Sequence, residues 1–129
     1  MAGTRGLDQL LAGMEPVLYP GDYGFATVAE VPAGLRPFAV IAEDEGLTLV
    51  ALTADLAAAG VAHQGGWARI SLTVHSDLSA VGLTAAIATA LTGAGISANV
   101  IAGYFHDHFF VQASRAEAAM AAMDGLRHG

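Results

Sequence analysis

Two short stretches carry residue types that could do chemistry. His106-Asp107-His108 sets two imidazoles and a carboxylate within three positions, a donor set that suits zinc or iron. On a strand, side chains two apart share a face and neighbours oppose, so His106 and His108 point together and Asp107 points away. A structural zinc takes four protein ligands, and the other histidines are His63, His75 and His128. The spacing therefore favours a polar hairpin with histidines hydrogen-bonding across strands, and no metal. The alternative is a metal-binding protein or metal-dependent enzyme centred on His106 and His108.

The second stretch is His75-Ser76-Asp77-Leu78-Ser79. It contains serine, histidine and carboxylate, but a triad needs those groups converging in space beside an oxyanion hole. Sequence neighbours read instead as turn and cap residues, so no catalytic residue is assigned and no enzyme is expected. The stretch suits an anion better. With Asp77 or Ser79 capping a helix, the amides near Val81, Gly82 and Leu83 point outward at the positive end of its dipole. Gly82 has no Cβ to obstruct a ligand, and a carboxylate would gain charge-assisted hydrogen bonds there. The packing alternative is that Gly82 only lets the helix lie close to a sheet.

Composition narrows the field. The 129 residues, 13.0 kDa, hold five arginines, no lysine, no cysteine and twelve acidic residues, for a net charge of −7. Scattered arginines on an acidic chain give no stripe for phosphates, which excludes nucleic acid and anionic membranes as partners. Without lysine there is no Schiff base and no phosphate-loop lysine. Without cysteine there are no disulfides or thiolate metal sites, which fits a reducing cytosol, and no cofactor is expected. Residues 1–15 read as an amphipathic helix around Leu7, Leu10 and Leu11, not as a signal peptide. No apolar run is long enough to span a membrane. Only 13% of residues are charged and 54% are hydrophobic, too few charges to coat a monomer, so a homo-oligomer, a dimer, is expected.

The elements that must position these groups follow from periodicity. Trp67 to His75 alternates, with Ala68, Ile70, Leu72 and Val74 on one face and Arg69, Ser71, Thr73 and His75 on the other, which predicts a half-buried strand. From about Ser79 the period becomes helical through Leu83, Ile87, Ala90, Leu91 and Ala94, ending at Gly95 with Ile96 as its apolar partner. Strands are expected over 96–104 and 109–112, joined through His106, Asp107 and His108. Ser114 and Glu117 form a capping box for a helix burying Ala119, Met120, Met123 and Leu126. Strand, helix, strand, strand, helix is most of a ferredoxin-like unit.

The N-terminal half echoes this more weakly. Strands over 17–19 and 23–28 are broken by the turn Pro20-Gly21-Asp22. A hairpin over 38–42 and 47–52 turns through Glu43-Asp44-Glu45-Gly46, and Thr53 caps a short helix closed by Gly60. The 29–37 connection is too short for a crossover helix. The expected organisation is a degenerate half with an N-terminal helix over 1–62, a hinge at 63–66, and a second half over 67–129.

The run from Val74 to Thr84, followed after a helix by Gly95-Ile96-Ser97-Ala98-Asn99-Val100, resembles an ACT domain. The continuation from Tyr104 to Val111 is similar to small bacterial tandem-ACT proteins. The likeness spans Trp67 to Leu126 closely and Val17 to Gly60 more loosely; it departs at Val81, where many ACT domains carry proline. The resemblance implies an α+β fold of two ferredoxin-like βαββα halves packed together. It also implies a regulatory protein that binds an amino acid or a similar small carboxylate. The expected site comprises Val74, His75, Ser76, Asp77, Leu78, Val81, Gly82, Leu83 and Thr84, with Asn99, Val100 and Ile101 from the neighbouring strand. Backbone amides would hold the carboxylate, Asp77 the ammonium, and Asn99 either group. A purely structural interaction module is a third reading.

Overall fold

The computed structural model describes residues 2–73 and 82–128. The elements are α1 (Ala2–Gly13), β1 (Pro16–Val28), β2 (Ala39–Glu43), β3 (Gly46–Leu52), α2 (Thr53–Ala58), β4 (Gln64–Leu72), α3 (Leu83–Gly93), β5 (Ala98–Ala102), β6 (Asp107–Gln112), a 3-10 turn (Ala113–Arg115) and α4 (Ala116–His128). They fall into two compact units, one of Met1–Tyr19 with Ala68–Gly129 and one of Pro20–Trp67.

In the first unit the strands run β1-β4-β6-β5 across the sheet, so β4, expected as a half-buried strand, lies between β1 and β6. β5 and β6 pair antiparallel, Asn99 opposite Phe110 and Ile101 opposite His108. Ala68, Ile70 and Leu72 of β4 point to one side together with Phe109 and Val111 of β6. There they form a core with Met14, Leu83, Ile87, Leu91, Ile96, Ala119 and Met123. Helices α1, α3 and α4 supply that apolar layer because their buried residues recur at helical spacing. α3 ends in a Schellman motif: Gly95, at φ +75°, donates to Thr92 O, and Ile96 N–H reaches Leu91 O at 2.9 Å.

In the second unit the order is β2-β3-β1-β4. β3 pairs antiparallel with both β2 and β1, and Ala26, Leu49, Ala51 and Leu56 form the core, with Val28, Val31, Leu35 and Val61 against it. The hairpin turns at Asp44-Glu45, as its acidic tip predicts. α2 closes as α3 does, Gly60 at φ +71° donating to Ala57 O and Val61 to Leu56 O.

Several local expectations are corrected. Strand β1 is continuous through Pro20-Gly21-Asp22; ladder pairing overrides the turn residues, and Gly21 absorbs the distortion at φ +96°. Gln64, Gly65 and Gly66, read as a hinge, open β4. Thr53 is the first residue of α2, not its cap, and its hydroxyl donates to Asp22 O at 3.3 Å. Ser114 lies inside the 3-10 turn, so the capping box does not form. The β5–β6 connection is Gly103 to His106, closed by Gly103 N–H to His106 O at 2.9 Å, which leaves Asp107 and His108 within β6.

Candidate ligand-binding site

Val74, His75, Ser76, Asp77, Leu78 and Val81 lie outside the described residues. Gly82, at φ +95°, is the N-cap of α3 and, having no side chain, gives the helix no side-chain cap. The described helix opens at Leu83, and the caps expected at Asp77 or Ser79 lie outside the described residues. Its first intrahelical bond is Ala86 N–H to Gly82 O at 2.8 Å. The amides of Leu83, Thr84 and Ala85 precede that bond, at the positive end of the helix.

The side chains at this point divide by role. Leu83 is 2% exposed and packs with Ile87 and Leu91, so it contributes only its backbone to the surface. Thr84 is exposed. A Cβ on Gly82 would meet the Leu7 side chain at 3.4 Å, so that side of the glycine is already covered by α1. On β5 the three expected residues do not share a face. Asn99 and Ile101 lie over Phe110 and His108, and Val100 over Phe109 on the helix-covered side. Val100 is 38% exposed because β5 is the last strand in the order.

On the opposite face of β4 a polar cluster forms in which His108, one of the two histidines expected to hydrogen-bond across strands, meets Ser71. Ser71 is 2% exposed. Its hydroxyl oxygen accepts from Arg69 Nε at 2.9 Å and lies 2.6 Å from His108 Nδ1. A guanidinium can only donate, so Arg69 is the donor in its bond to Ser71, while the direction of the Ser71–His108 bond is set by the imidazole tautomer. The Arg69 guanidinium stacks on the Tyr19 ring, 3.8 Å from its centroid. Burial, then the Arg69 charge, then His106, lower the His108 pKa from 6.5 to about 4. The alternation of Arg69 and Ser71 was the available signal. It placed them on one face without showing that a histidine 37 residues away would cover Ser71.

This arrangement offers little to a nucleophilic mechanism, since Ser71 has almost no exposed surface for a substrate to reach. His106 lies in the turn ahead of β6 and His108 has Nδ1 committed to Ser71. Among the described residues, no three His, Cys, Asp or Glu side chains are grouped as metal ligands. Phe109 and Phe110 are fully buried, Trp67 packs edge-on against Phe25, and Tyr104 and Phe105 are 75% and 56% exposed. No helix among the described residues is long and apolar enough to cross a membrane.

Comparison with known proteins adds to this geometry. The ACT domain family matches residues 2–66 and again residues 62–124. A crystal structure of a Vibrio cholerae protein of unknown function, described as a possible transport protein, is 46% identical. It covers 97% of this chain and 98% of its own, with a TM-score of 0.85. An Agrobacterium tumefaciens protein superimposes with a TM-score of 0.76 at 18% identity, covering 88% of this chain and 89% of its own. The regulatory subunit of aspartate kinase from Thermus thermophilus does so at 0.67 and 12% identity, covering 86% and 95%. No curated protein matches the chain.

Proposed function

The chain belongs to the ACT domain family, with two such matches in tandem, and on that premise we propose that it is a non-enzymatic regulatory protein that binds an amino-acid-like carboxylate. The observation that carries the reading is the opening of α3. Gly82 supplies no side-chain cap of its own, and the amides of Leu83, Thr84 and Ala85 precede the first intrahelical bond. Three such donors suit a carboxylate. Asp77 would supply the ammonium partner; β5, which carries Asn99, Val100 and Ile101, is separated from β4 by β6 in the strand order and is left out of this site. The regulatory-subunit likeness supports the fold of such a protein. The cytosol is the proposed location.

A regulatory output then needs a second protein or a change of assembly. Strands β2 and β5 stand at the ends of the strand order, and Val40 and Ile41 on β2 are 45% and 42% exposed. Such apolar edges favour pairing with a second copy, and a homodimer is the proposed state.

Thermal unfolding of the purified protein against each proteinogenic amino acid is the test, since a ligand of the native state raises the midpoint. An amino acid that raises it, and whose carboxamide analogue does not, supports the reading. No shift with any amino acid in millimolar excess overturns it.

A further inference from the structure

The short 29–37 connection has a consequence in the second unit. A cavity of about 380 Å³ lies between Ala33 to Arg36 of the connection and Asp55, Ala58 and Ala59 of the helix segment. That volume falls within the range typical of small-molecule sites, roughly 300–1,000 Å³. Its wall is held in place from both ends. Leu35 N–H donates to Pro32 O at 3.2 Å around Gly34 at φ +83°, the geometry of a type II turn, which needs glycine there. Val31 and Leu35 pack on the core of this unit, and Phe38 N–H bonds to Val50 O at 2.7 Å.

The lining is chemically simple. Ala33, Gly34, Ala58 and Ala59 present nothing larger than a methyl group, and a Cβ added to Gly34 would meet no atom within 4 Å. Arg36 and Asp55 are the two charged residues, and among the described residues their side chains form no ion pair or hydrogen bond, with each other or with a third group. A cation and an anion on one small cavity, neither neutralised, complement a molecule that carries both charges. We propose that this cavity binds an α-amino acid zwitterion with a small neutral side chain, Arg36 taking the carboxylate and Asp55 the ammonium. The guanidinium fork matches a carboxylate, and three ammonium hydrogens suit the Asp55 oxygens. A second carboxylate on the ligand would be repelled by Asp55, and a second amine by Arg36. Both charged side chains are exposed, so the binding is weak, in the millimolar range.

This site is separate from the opening of α3, and neither depends on the other. Amide NMR of the full chain distinguishes them. With L-alanine in millimolar excess, saturable shifts are expected at the amides of Gly34, Leu35, Arg36, Ala58 and Ala59. Propionate and ethylamine, each lacking one charge, should bind at least about tenfold more weakly, as should L-alanine to Arg36→Gln and Asp55→Asn. Both substitutions are at exposed positions, so the spectra report whether each variant remains folded. Shifts confined to Leu83, Thr84 and Ala85 overturn this proposal and leave the α3 site standing. No saturable shift at 33–36 and 55–59, or shifts unaltered in both variants, also overturns it.

Discussion

Ser71 Oγ lies 2.6 Å from His108 Nδ1 and 2.9 Å from Arg69 Nε, so one buried hydroxyl joins a permanent cation to an imidazole whose pKa is lowered to about 4. Arg69 can only donate to the hydroxyl. Protonating His108 would place a charge on a half-buried ring and set a second positive charge beside Arg69.

The first consequence is a pH dependence. The folded pKa of His108 is lowered from 6.5 to about 4 by burial, Arg69 and His106. Between those values the unfolded chain holds a proton that the folded chain does not, so stability falls as pH drops through this window. The contribution is complete above the unfolded pKa and lost once pH reaches the folded one. Urea unfolding at pH 7.5 and 5 should show a larger loss in the native protein than in His108→Gln. Equal losses would show that His108 titrates normally.

Ser71→Ala removes the shared hydroxyl and leaves Arg69 Nε and His108 Nδ1 facing an empty position. A cost of about 1–3 kcal/mol is expected, since the hydroxyl bonds a charged donor as well as the imidazole. A chemical-denaturation midpoint unchanged from the native protein would show that water satisfies both atoms.

Gly82→Ala tests whether backbone or space requires the glycine. Leu7 lies at ordinary contact distance from the new methyl, 3.4 Å, while φ is +95°. The cost of about 1–2 kcal/mol should therefore come from the left-handed conformation and persist in a Leu7→Ala background. A double-mutant cycle should give a coupling near zero. A large coupling would make the contact with α1 the reason for Gly82.

Arg115 donates from Nη2 to Ala94 O at 3.0 Å and from Nη1 to Gly95 O at 3.5 Å, placing a cation at the end of α3. Arg115→Ala should cost about 0.3–1 kcal/mol, with faster amide exchange in the last turn of α3. Arg115→Lys should recover part of the charge effect without the second bond. Unchanged exchange would assign that end wholly to the Gly95 motif.

Periodicity and turn chemistry made much of the first unit legible. The alternation of Ala68, Ile70 and Leu72 placed β4, the spacing of Leu83, Ile87 and Leu91 placed the buried face of α3, and Gly95-Ile96 marked its end. These signals are local, and burying an apolar face needs only that something cover it. Helix starts were less legible, because Thr53 and Ser114 are good caps only if the backbone around them is free to place them at N-cap positions. Strand pairing and a 3-10 turn decided otherwise. The anion-binding reading of Gly82 was visible as a glycine between strand and helix, but its left-handed φ and its contact with Leu7 depend on α1, far away in sequence. The burial of Ser71 under His108, the division of Asn99 and Ile101 from Val100, and the cavity between Arg36 and Asp55 are all products of register and packing. A single strand or loop carries its own period and its own charges; which residues of another segment come to lie beside them is settled only when the sheet pairs and the helices close over it.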